Sequence, residues 1–345
     1  MRNETRKVFN KYAGRMAELN HVEDVSTKFS VDPTVQQKLE TKQQESSQFL
    51  GMINMIGVVE QKGEKVGLGI SSTIAGRTDT TSNDRQPTDP TDLAKHSYEC
   101  KQTNFDTAIR YSKIDAWAKF PDFQNRMRDA ILSRQALDRI MIGFNGTSAA
   151  AQTNRTENPM LQDVNIGWLA HIRTDAPEQV FSEAAEASGK ITVGPWEGSD
   201  YQNLDALVFN ATNEMLPEWY QDDPELVVII GRALLSDKYL PMVNKHADTP
   251  TESLALDVIK MQKTIGGLPA VRVPYFPPNA ILITRLDNLS IYWQEGARRR
   301  HLMDNPKRDQ VENYESSNDA YVVEDYEGVV LIENIEISDA APSGS

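Results

Sequence analysis

The chain has 345 residues, 39% apolar and 25% charged, enough to bury a full core and to divide into two subdomains. No apolar run approaches the roughly 20 residues that span a bilayer, and one cysteine, Cys100, excludes a disulfide framework and a Cys-based zinc site. The net charge of −14 argues against a surface that wraps nucleic acid, which needs a positive field. Arg2, Glu4, Arg6, Lys7 and Lys11 interrupt the N-terminus where a signal peptide would be apolar, so a reducing, cytoplasmic place of synthesis is expected.

Charge is unevenly placed. Residues 1–31 hold six Lys/Arg against four acids, a net of +2, which leaves −16 on the remaining 314 residues. Within that basic segment, Val8, Phe9, Tyr12, Met16 and Leu19 fall near one stripe and predict a helix over 3–19. The pattern fades at Asn20-His21 and stops before Asp32-Pro33, since the residue before proline is pushed away from helix. A second, mostly polar helix is expected over Thr34–Leu50.

Residues 53–111 read as two extended strands leaving the body of the protein. Ile53, Met55, Val66, Leu68 and Ile70 mark the outward strand; Phe105, Thr107, Ile109 and Tyr111 alternate at period two on the return. Between them, Ser71–Lys95 carries only Ile74, Ala75, Leu93 and Ala94 as apolar residues. A two-stranded arm is marginal alone because its apolar face needs a surface to lie on. The expectation is an arm completed by a neighbouring subunit.

The clearest helix pattern is Asp122–Phe144, where Phe123, Met127, Ala130, Ile131, Leu137, Met141 and Phe144 recur at three- and four-residue steps. Asp122 is a plausible start and Gly146 a stop. Residues 145–200 are loop-rich, with a short helical run around Trp168-Leu169. The second half reads α/β: helices at Tyr201–Leu216, Arg232–Val243 and Ser253–Lys260, and a buried strand at Leu226–Ile230 between Asp222-Asp223-Pro224 and Gly231. Further strands are expected at Ala270–Val273, Ala280–Thr284, Leu289–Trp293, Ala320–Asp325 and Val329–Ile337, before a polar tail.

Catalytic motifs are missing: no phosphate loop, no dinucleotide fingerprint, no nucleophile elbow and no histidine pair at i, i+4. Asp222-Asp223-x-Glu225 and Glu324-Asp325-x-Glu327 offer carboxylates, but solvated loop acids explain them better than a cation site. Arg298-Arg299-Arg300 with His301 is the one dense basic run. In so acidic a chain it fits an inter-subunit contact to acidic loops better than a phosphate site. Ile74 and Leu93, alone in the polar tip, are the arm's candidate inter-subunit contacts. Cys100 reads as an ordinary strand residue; Trp168, Trp196, Trp219 and Trp293 read as core or interface anchors. No cofactor or metal is indicated.

Several stretches, in order over nearly the whole chain, resemble the major capsid proteins of P2-like tailed bacteriophages. They are Met1-Arg-x-Glu-Thr-Arg6, Gln44-Glu-Ser-Ser47, Phe144-Asn-Gly146, Asn158-Pro-Met-Leu-Gln-Asp163 with Gly167-Trp-Leu169, Leu268-Pro-Ala-Val-Arg-Val-Pro-Tyr-Phe-Pro277, Val311-Glu-Asn-Tyr-Glu-Ser316 and Tyr321-Val-Val-Glu-Asp-Tyr326. The resemblance implies an α+β chain with the HK97-type capsid fold. Its implied parts are a basic segment 1–31 removed on maturation, an N-arm 32–52, and an extended β-hairpin 53–115. A peripheral domain 116–200 with spine helix 122–144, an axial domain 201–286 and return strands with a tail, 287–345, complete it. The cut is expected in the region of Lys28, Phe29, Ser30 and Val31, where the helical pattern ends. Implied partners are further copies in hexamers and pentamers of an icosahedral shell, a scaffolding protein, a prohead protease and a portal protein. The shell would enclose DNA without reading its sequence. Two other readings stay open at this point: an α/β enzyme whose site these motifs do not cover, and a cellular nanocompartment shell of the same fold.

Overall fold

A computed structural model describes residues 1–70, 75, 77–82, 84–85, 91–117, 120, 123–185, 187–234 and 264–338. The helices are α1 (Asn3–Leu19), α2 (Pro33–Glu45), α3 (Tyr111–Trp117), α4 (Phe123–Asn145), α5 (Trp168–Asp175), α6 (Leu204–Met215) and α7 (Glu218–Gln221). The strands are β1 (Phe29–Ser30), β2 (Asn54–Val58), β3 (Lys62–Ile70), β4 (Thr91–Glu99), β5 (Lys101–Asn104), β6 (Thr107–Arg110), β7 (Val180–Phe181), β8 (Ile191–Val193) and β9 (Leu226–Ile230). They continue with β10 (Thr264–Ile265), β11 (Leu268–Val271), β12 (Ile281–Arg285), β13 (Leu289–Gln294), β14 (Arg299–Asn305), β15 (Gln310–Val323), β16 (Val329–Ile332) and β17 (Ile335–Ile337). Most of the expected helices Arg232–Val243 and Ser253–Lys260 lies outside the described residues.

Two sheets organise the subunit. A seven-stranded sheet runs β1-β14-β15-β13-β2, with β5 and β6 also paired to the long strand β15. A six-stranded sheet runs β10-β11-β9-β12-β16-β7. Its centre, β9, is the apolar run Leu226–Ile230, buried as a strand bonded on both edges must be. On this sheet α6 lays Leu204, Leu207, Val208 and Ala211. A second core joins the two sheets around Trp168, whose ring meets Phe49, Phe144 and Tyr321 edge-on and whose Nε1 donates to the Ser290 carbonyl at 2.9 Å. Close approach of α4 and α5 needs glycine: a Cβ on Gly143 would stand 2.2 Å from the Trp168 ring, and one on Gly167 2.4 Å from the Gly143 carbonyl oxygen.

The local starts and stops have identifiable causes. Asp32-Pro33 both ends the preceding pattern and opens α2: the Asp32 carboxylate accepts from the Thr34 N–H at 2.9 Å and Pro33 takes the first helical position. Gly146 follows the last residue of α4, its N–H returning to the Ile142 carbonyl.

The arm is shorter than its sequence suggests. Its expected roots belong to the body: β2 lies parallel to β13, while β5 and β6 pair with β15. Tyr111, expected on the return strand, is the first residue of α3. What projects is β3 with β4, a two-stranded sheet of its own registered from Lys62↔Glu99 to Ile70↔Thr91. Alternation alone cannot separate a strand in an arm from one added to a sheet edge, since both show one face to apolar surface.

A buried ionic cluster ties helices to sheet. Arg139 of α4 and Arg298, just before β14, are each 1% exposed. Arg139 grips Asp319 at 3.0 and 3.1 Å and also donates to Glu40 and to Gln43 Oε1, both of α2. Arg298 donates to Glu40 at 2.6 Å and to Glu315 at 2.5 and 2.8 Å. The expected inter-subunit role of Arg298 is therefore corrected: its guanidinium is used up inside its own subunit, where burial demands paired charge. Burial would push the Glu315 carboxyl up, but Arg298 and Arg300 outweigh it and hold the group at about 2. Glu40 also stays low, because Arg139 and Arg298 together outweigh its burial. Asp319 is raised, since complete burial and the nearby Glu40 outweigh its ion pair with Arg139.

A depressed carboxyl adds stability that is present above its unfolded value and is lost as pH falls through its folded one. Glu315→Gln should therefore cost on the order of 3 kcal/mol at pH 7, by leaving Arg298 half-paired. The gap to the parent protein should close between about pH 4 and pH 2, read from urea unfolding of the subunit across that range. Gly143→Ala gains helix propensity of about 1 kcal/mol but drives a methyl into a buried, rigid indole. A net loss of roughly 1–2 kcal/mol is expected in the same assay.

Candidate functional site

The surfaces that the sequence singles out begin with the basic N-terminal segment. Its sequence pattern suggested a separable piece, and the structure shows it folded onto the body. Phe9, Met16, Val25, Phe29 and Val31 form a cluster with Tyr111, Ile114, Leu302 and Val311. Charge reinforces the fit: Arg6 pairs with Asp304, which also accepts from the Tyr111 hydroxyl, and the Arg2 N–H donates to Asp115 at 2.9 Å. Hydrogen bonds from Arg6 and Tyr111, with the Arg6 charge, hold the Asp304 carboxyl below the usual range despite partial burial. The candidate processing residues occupy the strand β1 and its flanks. Lys28 and Ser30 are exposed, whereas Phe29 and Val31 are buried.

The basic run divides into residues with different roles. Arg298 is buried as described. Arg299 is exposed on β14 opposite Ser30. Arg300 is mostly covered, donating to Asn313 at 2.7 Å and to the Tyr12 hydroxyl at 3.3 Å. His301 stacks on Tyr314 and its Nε2 lies 2.7 Å from the Ser26 carbonyl. Three of these four side chains thus serve the subunit's own N-terminal segment or core.

Among the described side chains, the hairpin meets the body near its base. His96 packs on Tyr326 with centroids 4.6 Å apart, Tyr98 meets Tyr292 edge-on at 5.0 Å, and Glu99 accepts from Lys62 and Lys101. Leu93 stands opposite Leu68 in the ladder, while Ile74 lies outside the described residues. Cys100, at the junction of β4 and β5, is fully buried against Tyr292 and Ala320. Burial, with Asp319 and Glu99 nearby, pushes its thiol up to about 12, so it is an inert packing group.

The two acidic loops converge on fixed partners. Arg285 pairs with Asp223, Glu225 and Asp287, and Asp325 accepts from the Tyr220 hydroxyl at 2.5 Å. Among the described residues, no group of three or more His, Cys, Asp or Glu side chains is placed to hold a metal ion.

Large apolar side chains left in solvent are the surfaces that motif reading passed over. Phe209 is 62% exposed on α6, Trp219 61% exposed on α7 and Val59 72% exposed beyond β2, the strand that ends the larger sheet opposite β1. Phe209 had a visible signal: it is an apolar residue off the stripe of Leu204, Leu207, Val208 and Ala211 that the helix buries. Of the tryptophans read as core or interface anchors, Trp168 and Trp293 are buried in the core, whereas Trp219 is exposed.

Comparison with known proteins gives one answer. Residues 8–335 match the family described as phage major capsid protein, P2 family. The chain is 53% identical to the capsid protein of Escherichia phage P2, over 98% of this chain and 96% of that one. It is 42% identical to the major capsid protein of Serratia phage KSP20, over the full length of both. Among solved structures it is similar to a chain of the satellite phage P4 procapsid including size determination protein. The TM-score is 0.80 and the identity 51%, over 98% of this chain and 99% of that one. The capsid of an empty GTA particle shares the fold alone, at 13% identity and a TM-score of 0.50 over 84% of this chain and 90% of that one. Of the three readings of the sequence, the enzyme and the nanocompartment find no support in these matches. With its HK97-like fold, the chain belongs to the P2 family of phage major capsid proteins.

Proposed function

We propose that this capsid protein closes into an icosahedral shell of hexamers and pentamers around double-stranded phage DNA. The proposed setting is the host cytoplasm, with a scaffolding protein, a prohead protease and a portal protein at one vertex. The near-complete match to phage capsid proteins carries the reading. In this scheme 1–31 is the removable segment and 32–52 the N-arm. The extended hairpin is 53–115, its projecting part being β3 and β4; 116–200 is the peripheral domain, 201–286 the axial domain and 287–345 the returning strands and tail. The body is acidic, so its inner wall repels packaged DNA instead of adsorbing it, and removing the +2 segment makes the wall more negative. Closed shells use heterologous contacts repeated around rings, and many modest contacts per subunit add up through multivalency. Arg299, the hairpin including Leu93 and Ile74, and the exposed Phe209 and Trp219 supply such contacts. Shell expansion on maturation moves the hairpin and bends α4, as rigid-body and hinge changes do.

The direct test is electron microscopy of the protein made alone and with its scaffold and protease. Closed shells or capsomer rings are expected, and a dispersed monomer under every condition would overturn the proposal. Trp219→Ala and Phe209→Ser should leave the subunit's unfolding midpoint nearly unchanged, because neither side chain is in the core, yet lower the yield of closed particles severalfold. N-terminal sequencing of mature particles should give chains beginning between Phe29 and Asp32; an intact Met1 would contradict the processing step.

A further inference from the structure

The region expected to be cut is visible to solvent through its side chains but closed at its backbone. Lys28 and Ser30 point outward. The backbone, however, is paired: Phe29 stands opposite Arg300 and Ser30 opposite Arg299, and the Val31 N–H donates to the Arg298 carbonyl at 2.8 Å. Phe29 and Val31 are inserted in the apolar cluster at 8% and 2% exposure. Side-chain bonds hold the same stretch on both sides: His301 Nε2 to the Ser26 carbonyl at 2.7 Å and Ser30 Oγ to the Gly296 carbonyl at 2.8 Å. Upstream, the Leu302 N–H donates to the Val25 carbonyl at 2.9 Å, and α1 is pinned through Arg6–Asp304 and Arg300–Tyr12.

An endoprotease acts on ordered structure from its transiently opened form, at a rate that follows the open fraction when opening is fast. A strand bonded into a sheet is therefore protected even where its side chains are exposed. β1 is two residues long and lies at the sheet edge, the kind of strand that peels without unfolding its neighbours. We propose that residues 1–31 form a latch that keeps their own processing site closed, so that cleavage waits for the subunit to release β1 from β14. The inference rests on processing at Lys28–Val31 and adds its regulation. The step itself is hydrolysis. Water adds across one peptide bond, its hydroxyl going to the carbonyl carbon and its proton to the departing amine, with the endoprotease as the only further participant. His301 and Asp304 are positioning residues in this scheme: they act on the strand and helix that cover the site and touch no reacting atom.

The test is a reversible lock on the full-length chain. Ser30 and Arg299 are Cα partners lying next to the bonded Val31–Arg298 pair, in the register that suits a cross-strand disulfide. Cys100 is buried and does not compete. In Ser30→Cys/Arg299→Cys, trypsin should produce chains beginning at Phe29 at least tenfold more slowly in the oxidised than in the reduced form, a difference of about 1.4 kcal/mol in opening. His301→Ala, which needs no disulfide, should be cut severalfold faster than the parent chain. Equal rates in oxidised, reduced and His301→Ala proteins would overturn the latch. Failure of the underlying reading looks different: the reduced protein, assembled with the phage's own protease, would yield particles that keep Met1 while trypsin still reported the lock.

Discussion

The position of every layer in the larger half of this subunit depends on the carboxylates and guanidinia buried between α2, α4 and β15. Arg139 comes from the long helix, Glu40 from the N-arm helix, Asp319 and Glu315 from the long strand and Arg298 from the turn before β14. None can be left without its partner, because a lone buried charge costs several kcal/mol. A shift of α2 by one turn, or of β15 by two residues, would strand at least one of them. An apolar core of the same volume would hold these elements as strongly and tolerate such slips. The cluster thus serves register, which matters most in a subunit whose outer surfaces must match those of many copies.

Register in turn fixes the N-terminal segment. β14 follows Arg298 directly, and β1 pairs with its first two residues. The ladder continues through β14 to β15, where Asn313 and Glu315 share one face. The strand that carries the candidate processing site is therefore bonded to a strand whose own place is set by the ionic cluster. A change in the sheet large enough to move β14 relative to α1 would be felt at β1 first, since two residues at an edge have the fewest bonds to lose.

What could be read from the sequence follows from how each element is buried. Helix 3–19, the long helix, the strand Leu226–Ile230 and the stripe of α6 all bury apolar side chains at the period of their backbone, so composition and spacing reveal them. β14 and the first ten residues of β15 escaped notice for the opposite reason. Along β15 the inward face is Asn313, Glu315, Ser317 and Asp319, polar residues buried because Arg300, Arg298 and Arg139 meet them. A period-two pattern of polar groups looks like a solvated loop until its partners are known, and those partners lie 180 residues away for Arg139 and Asp319. The same blindness produced the reading of Arg298 as a surface contact: a dense basic run gives no sign of which member points inward. Of the exposed apolar side chains, Phe209 is legible as an apolar residue on the wrong face, whereas the exposure of Val59 depends on β2 being the last strand of its sheet.

The charge asymmetry of the sequence and the docking of the N-terminal segment fit together. A segment of net +2 on a body of −16 is attracted to it, and the ion pair of Arg6 with Asp304 is a site where that attraction is realised, beside the backbone hydrogen bond from the Arg2 N–H to Asp115. Coulomb attraction at such partly exposed sites is worth little alone and falls with salt. It orients the segment, while Phe9, Met16, Phe29 and Val31 supply the burial that keeps it in place. A segment held mainly by apolar area, with charge in a secondary role, stays down at any ionic strength the cell presents. Its release therefore has to come from movement of the surface beneath it. Without it, Asp304 would lose Arg6, Asp115 would lose the Arg2 N–H, and an apolar face of Tyr111, Ile114, Leu302 and Val311 would be uncovered on a more acidic body. Removing the segment would thus change both the field and the contacts of the subunit in a single step.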